Sequence, residues 1–453
     1  MTKRQTIAGA IAALLLGGAV AGFAITWRPA IAAIDPPAAQ SFDPAQVKRG
    51  RQLAAIGNCG TCHTTRSGKD FAGGLPVPTP FGTIYSSNIT PDADTGIGRW
   101  PESAFRRAMR SGVARDGEHL YPTFPYDHFT NVTDDDDQAL YAYLMTRLPV
   151  HAPARQNQLA FPLDQRAVIA GWKLLFLRPG SYRPDPSHSA EYNRGGYLVE
   201  GLAHCGACHT PRNALGAERT SAQFAGGEVD NWTAYPINAQ SPAPVPWDAG
   251  ALFAYLRYGW HPDHGVARGP MAEVVSNLSG VPDSDVRAIA TYMAGVFGAP
   301  TPEGKRRGDE VLAQVKSPAP QAATSNAAGE AIYIAACATC HESGRKLPYG
   351  GVNLGLSTAI SGPDPRNAVN IILSGVRPVQ GERSPIMPGF ANSMNDEQIA
   401  ALLNYLRARF GNQPAWTDVE KTVASARRAQ TVFLQTSPPA QNAPADPTQR
   451  DKP

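Results

Sequence analysis

Cys59-Gly60-Thr61-Cys62-His63 decides the reading of this chain, because the same frame returns as Cys205-Gly206-Ala207-Cys208-His209 and again as Cys337-Ala338-Thr339-Cys340-His341. The sequence holds six cysteines, and the three frames use all of them. Cys-x-x-Cys followed directly by His is the attachment pattern of c-type haem. On one helical turn the two thiols reach the two vinyl groups of a single porphyrin, and the adjacent imidazole turns onto the iron. A redox dithiol needs no following histidine, and a zinc site needs paired knuckles close enough to share an ion. The frames lie 146 and 132 residues apart, so neither alternative accounts for all three. The expected cofactors are three covalently bound haems c on Cys59, Cys62, Cys205, Cys208, Cys337 and Cys340, with His63, His209 and His341 as proximal ligands.

Composition sets the frame for this reading. At roughly 150 residues per domain, 453 residues suggest about three domains. A hydrophobic content of 42% supports buried cores and excludes a disordered scaffold. The 41 basic and 38 acidic residues leave a net charge of +3, too balanced for binding nucleic acid through its phosphates and better suited to protein partners.

The N-terminus reads as a membrane segment. Residues 5–27 carry no charge, Lys3 and Arg4 precede them, and Ile7 to Trp27 would make about 31 Å of helix, enough to span a bilayer core. The positive-inside bias then leaves Lys3 and Arg4 in the cytoplasm and delivers everything after Arg28 outside. Ala30-Ile31-Ala32 also resembles a signal-peptide cleavage site, but the apolar stretch is longer than a usual signal core, so a retained anchor is the expectation. The chain is thus read as inner-membrane, anchored by that helix, with the haem domains in the periplasm.

Each frame is followed by an amphipathic helix that ends in an aromatic: Gln138–Leu144 with Tyr143, Val286–Met293 with Tyr292, and Gln398–Leu406 with Tyr405. Thr133, Asp283 and Asn395, the last with Gln398 three residues on, read as their caps. Asp43 before Pro44 opens the first module in the same way. Phe71-Ala-Gly-Gly74 is echoed by Phe224-Ala-Gly-Gly227, and Trp100 by Trp247. The fold class is therefore mainly α, with three tandem class I cytochrome c domains behind an N-terminal transmembrane helix. The domains expected are 42–155, 189–300 and 326–413. Residues 1–33 are the anchor or signal segment, 156–188 a connecting helix and linker, 301–325 a second linker, and 414–453 a disordered tail with one polar helical stretch. The acidic run Asp134–Asp137 reads as cap and helix-dipole chemistry rather than a metal site.

The sixth ligand separates a haem that only passes electrons from one that binds a substrate. Met387 in Met387-Pro388-Gly389-Phe390 and Met271 in Gly269-Pro270-Met271 are the expected distal ligands of modules three and two. In module one the corresponding stretch, Leu120-Tyr-Pro-Thr-Phe-Pro-Tyr-Asp-His-Phe129, has Phe124 where a Met would stand. His128, Met109 and His119 are then the alternatives, together with an open iron.

The motifs Ser87-Asn-Ile-Thr-Pro-Asp92, Thr95-Gly-Ile-Gly-Arg-Trp100, Cys208-His-Thr-Pro-Arg-Asn213 and Met387-Pro388 make the chain from about residue 30 to 415 resemble the three-haem cytochrome c subunits of bacterial membrane-bound dehydrogenases. The resemblance implies an electron-transfer subunit without substrate chemistry of its own. It would take electrons from a periplasmic catalytic subunit and hand them to ubiquinone or to another cytochrome or oxidase. Phe124-Pro-Tyr-Asp-His-Phe129 and the segment from Gly269 to Ala290 look closest to cytochromes that accompany molybdenum hydroxylases with an iron–sulfur subunit, acting on aldehydes or N-heterocycles such as nicotinate. The alternative partners are quinoprotein alcohol dehydrogenases and flavin-dependent gluconate or sorbitol dehydrogenases. A multihaem peroxidase using an open iron in module one is the reading from a different class. No catalytic residue is expected, since nothing resembles a dinucleotide turn, a phosphate loop or an activated nucleophile.

Overall fold

The computed structural model describes residues 17–18, 22, 25–315, 326–377, 384–411 and 413–436. The chain forms two compact units, Met1–Arg183 with Glu200–His204, and Pro184–Val199 with the residues from Cys205 onward. The first holds module one and its connector, the second modules two and three.

One construction repeats in all three modules: an opening helix runs into the haem frame and is crossed by the closing helix. In module one the opening helix, Pro44–Ile56, starts at Asp43, whose carboxylate accepts the Ala45 N–H at 3.1 Å. The closing helix, Asp134–Met145, starts at Thr133. The two cross at Gly50, where an added Cβ would collide with the carbonyl oxygen of Ala139 and stand 2.7 Å from the Tyr143 Cβ. Gly195 on the module-two opening helix (Ala190–Tyr197) meets Ala288 O and, at 2.7 Å, Tyr292 Cβ on the closing helix Asp283–Phe297. Gly329 in Ala327–Ala336 meets Ala401 O and, again at 2.7 Å, Tyr405 Cβ on Asp396–Leu406. Each glycine sits eight to ten residues ahead of its first frame cysteine. The closing-helix aromatics therefore have a partner at each crossing, a glycine that lets two backbones touch.

Ion pairs lock two of the crossings. Arg49 holds the buried Asp136 at 2.7 Å, and Arg194 holds Asp285 at 2.8 Å. The acidic run of module one is thus spent on arginines as well as on the helix dipole: Asp134 and Asp137 both pair with Arg110, at 2.6 and 2.7 Å. Asp283, expected as a cap, is instead the first helical residue after Pro282 and pairs with Arg257 at 2.9 Å. Asn395 and Gln398 form the expected capping box, at 2.8 and 3.0 Å.

In module three no arginine pairs the opening and closing helices among the described residues; Asp396 of the closing helix is held instead by Arg427 at 2.7 Å. The stretch beyond Trp416 forms a helix, Val419–Thr436, whose Val419, Val423 and Ala426 pack into the cluster around Tyr333, Leu403 and Tyr405. Within the segment expected as a tail, Trp416 to Arg427 thus packs on module three, while 437–453 lies outside the described residues. The first half of the 301–325 linker is the helix Pro302–Gln314, and residues 316–325 lie outside the described residues.

The transmembrane helix expected over 7–27 is corrected by the structure. No helix among the described residues is long and apolar enough to cross a membrane. Three of the five described helical positions before Trp27 are glycines, which weaken a helix; residues 1–16, 19–21 and 23–24 lie outside the described residues. From Trp27 the chain is extended and bound to module one, Ile31 N–H to Arg115 O at 2.8 Å and Arg107 to Pro29 O at 2.7 Å.

The connector folds back on module one. Gln158–Leu159 (β3) extends the antiparallel hairpin of β1 (Pro76–Thr79) and β2 (Gly82–Tyr85). On the helix Arg166–Phe176, the buried Lys173 donates to the carbonyls of Ser111, at 2.8 Å, and Gly112, and to His119 Nδ1 at 3.0 Å. Burial, with Arg28 nearby, pulls its ammonium down to about 7.

Three expected outcomes follow from this packing. Gly50→Ala should lower unfolding stability by about 1–3 kcal/mol through overpacking at the crossing, measured by chemical denaturation. Gly171→Ala, on a connector helix with nothing within 4 Å of the new methyl, should be neutral or stabilising by up to about 1 kcal/mol. Lys173 binds its proton more weakly folded than unfolded, so its burial destabilises fully below pH 7 and this destabilisation is relieved as pH rises from 7 toward 10.5. The difference in melting temperature between Lys173→Met and the unmodified chain should therefore shrink as pH rises through that window; a constant difference would refute the assignment.

Candidate haem-binding sites

The frame cysteines lie where one helical turn puts them. Cys59–His63 is a single turn, and the His209 and His341 N–H groups return to Cys205 O and Cys337 O, both at 3.0 Å. No disulfide links any of the six cysteines. Burial, with the neighbouring thiol, pushes Cys59 up to about 12 and Cys337 up to about 11.

The three histidines are held alike. Nδ1 of His63 meets Ser87 O at 2.6 Å, that of His209 meets Tyr235 O at 2.7 Å, and that of His341 meets Val352 O at 2.8 Å. A carbonyl only accepts, so Nδ1 carries the hydrogen and the lone pair is on Nε2, which has no hydrogen-bond partner among the described residues. Burial lowers the pKa of all three rings, opposed by the carbonyl bonds. Neutral, oriented imidazoles with an available Nε2 are iron ligands in waiting, and with two thiols on the same turn they fit haem c. Arg268 Nε, buried without a hydrogen-bond partner, is the kind of donor a haem propionate would satisfy.

The Phe-Ala-Gly-Gly echoes explain how the carbonyls are delivered. Thr64 and Thr210, each just after its histidine, accept the N–H of Phe71 and Phe224 through Oγ1, both at 3.1 Å. Gly73 and Gly226 then donate to His63 O and His209 O, at 2.7 and 2.8 Å, with φ of +72° and +93° that glycine adopts without strain. Phe71 O and Phe224 O each receive an isoleucine N–H, from Ile89 and Ile237, at 2.9 Å. This register makes Ser87 and Tyr235 equivalent residues. In module three the acceptor follows Gly351, whose missing side chain admits the His341 ring: a Cβ there would lie 2.8 Å from Nδ1.

On the distal side, Leu120 donates to Gly112 O and Ala267 to Gly259 O, both at 2.8 Å, and four residues on stand Phe124 and Met271. Phe124 thus occupies the position of Met271. Met271 itself is in the first turn of the helix Pro270–Leu278 rather than in a loop. Met387 exchanges both backbone hydrogen bonds with Val376, at 2.8 and 2.9 Å, and its side chain is half-buried against the module-three core, as is that of Met394, which the sequence did not single out. Met109 is buried in the helix Glu102–Ser111. His128 is buried in the short helix Tyr126–Phe129, its Nδ1 3.0 Å from Glu200 O. His119 has both ring nitrogens engaged, by Lys173 and by Thr26 O at 2.9 Å.

A cytochrome c family profile matches residues 47–147 and 326–409. Over 408 residues the chain is 46% identical to a subunit of nicotinate dehydrogenase from Pseudomonas putida, covering 89% of this chain and 34% of that protein. It is 38% identical to the fructose dehydrogenase cytochrome subunit of Gluconobacter japonicus over 402 residues, 84% of this chain and 82% of the relative. It is 37% identical to the gluconate 2-dehydrogenase cytochrome c subunit of Pantoea cypripedii over 405 residues, 86% and 91%. The chain spans about a third of the Pseudomonas protein and most of the other two. With covalent haem c as the group its histidines and thiols are built to hold, the chain belongs to the cytochrome c subunits of bacterial dehydrogenases, electron-transfer proteins of the cytochrome c family.

Proposed function

We propose that this chain carries three haems c on the periplasmic side. In this reading it passes electrons from a molybdenum-hydroxylase-type dehydrogenase with an iron–sulfur subunit, acting on an aldehyde or N-heterocycle, to ubiquinone or another cytochrome. The partner assignment is carried by Phe124, which stands where module two has Met271 and lies in the stretch that resembles cytochromes accompanying molybdenum hydroxylases. The 46% identity to a component of nicotinate dehydrogenase supports it. Export is supported by the haem frames themselves, since haem c is attached to exported apoprotein.

Bound haem supplies a one-electron couple at each iron. The chain's own residues fix how that couple behaves. His63, His209 and His341 are oriented by their carbonyl bonds before any ligand arrives, so little rearrangement accompanies an electron. Met271 and Met387 would complete the second and third irons with thioethers, raising their potentials. For the first iron the candidates are His128, buried with its Nδ1 3.0 Å from Glu200 O, and the buried Met109.

Two measurements test this. Metal and cofactor analysis of the native complex, referenced to haem c, should find molybdenum with non-haem iron and three haems per chain; pyrroloquinoline quinone or flavin without molybdenum would overturn the partner assignment. In spectroelectrochemical titration, Met271→Ala and Met387→Ala should each lower one midpoint potential and open that iron to cyanide, and His128→Ala should perturb a third. An unchanged set of potentials for Met387→Ala would shift the ligand role to Met394.

A further inference from the structure

The strands that deliver the histidine-orienting carbonyls in modules one and two are both clamped from outside the module by an asparagine. Two residues ahead of Ser87, the N–H of Tyr85 is accepted by Asn157 Oδ1 at 2.9 Å, from the connector. Two residues ahead of Tyr235, the N–H of Thr233 is accepted by Asn367 Oδ1, also at 2.9 Å, from the module-three helix Arg366–Ser374. The shared register of Ile89 and Ile237 makes Tyr85 and Thr233 equivalent, so the same amide oxygen arrives at the same N–H from sequence positions with no relation to each other.

The module-two clamp is complete. The strands Gly227–Val229 (β4) and Trp232–Ala234 (β5) form a two-stranded hairpin, so among the described residues the outer edge of β5 has no strand beside it. Asn367 Nδ2 donates to Thr233 O at 2.9 Å while Oδ1 accepts from Thr233 N, the pair of bonds a third strand would make. Asn367 is only 7% exposed. Asn370, one turn along, donates to Asn231 O at 2.8 Å, at the hairpin tip and away from Tyr235.

We infer that Asn367 and Asn157 are positioning residues for the irons of modules two and one, acting through the carbonyls of Tyr235 and Ser87. The inference rests on the reading that these two frames carry haem. A firm Nδ1–H···O=C bond raises the basicity of the ligand and so favours ferric iron. Loosening the strand weakens that bond and raises the potential.

The test uses the full-length, haem-loaded chain, with haem counted before each redox titration. Asn367→Ala should raise one midpoint potential, seen as a severalfold rise in the reduced-to-oxidised ratio at a fixed applied potential, and leave the other two unchanged. The shift should fall on the haem that Met271→Ala perturbs. Asn157→Ala should raise a different midpoint. Asn370→Ala, in the same helix face but bonded at the hairpin tip, should move none. The inference is overturned if Asn367→Ala is loaded and leaves all three midpoints in place, or if Asn370→Ala shifts the same haem equally, which would mean general loosening. Should Asn367→Ala not accumulate with haem, Asn157→Ala decides by the same criterion. A haem count below three in the unmodified chain refutes the three-haem reading instead, and the clamp is then judged on the frames that are loaded.

Discussion

The bond from a frame histidine's Nδ1 to a backbone carbonyl is the constraint around which each module is arranged. It fixes the tautomer, points Nε2 outward, and requires a carbonyl to be brought back from 11 to 26 residues further along the chain. In modules one and two that return path is the phenylalanine at positive φ, the glycine that closes on the histidine's own carbonyl, and the hairpin beyond. Remove any one step and the imidazole keeps its place in sequence but loses its orientation.

The helix crossing supplies the rigid base for this loop. A glycine against an aromatic Cβ brings the opening helix, and with it the frame, into direct backbone contact with the closing helix in all three modules. What varies is the fastening. Modules one and two use an arginine on the residue just before the glycine, paired to a closing-helix aspartate. Module three has Ala328 there, and it ties the crossing instead by Asn326 Nδ2 to Ala401 O at 2.8 Å and by the added helix Val419–Thr436. A local charge pair and an added helix packed on the core are two solutions to one packing problem.

Features encoded by nearby residues were legible in the sequence. The frames, the closing helices with their aromatics, the Phe-Ala-Gly-Gly echo and the Asn395 capping box all draw on contacts within a few turns or on a repeated spacing. The crossing glycines were present at a near-constant distance from the frames, but an offset that drifts by a residue between modules hides them from a fixed-spacing comparison. Asn157 and Asn367 were not legible, because their partners lie 72 and 134 residues away and an asparagine in polar sequence looks like any turn residue. The N-terminal stretch shows the converse error. Apolar composition over 7–27 suggested a spanning helix despite its glycines, and it held no sign of the hydrogen bonds that bind the chain from Trp27 onward to module one.

The clamps also explain why modules two and three share one compact unit while module one has its own. Module one receives its outer edge from the connector that follows it directly in sequence, so everything orienting His63 is encoded by residue 159. Module two has no such segment of its own and borrows the edge from module three, through Asn367, Asn370 and the pair of Arg366 with Glu228 at 2.8 Å. Buried amides on a helix cost stability unless they are satisfied, so the module-three helix needs the hairpin as much as the hairpin needs the helix. The environment of the second histidine is therefore complete only with the module-three helix in place against the hairpin.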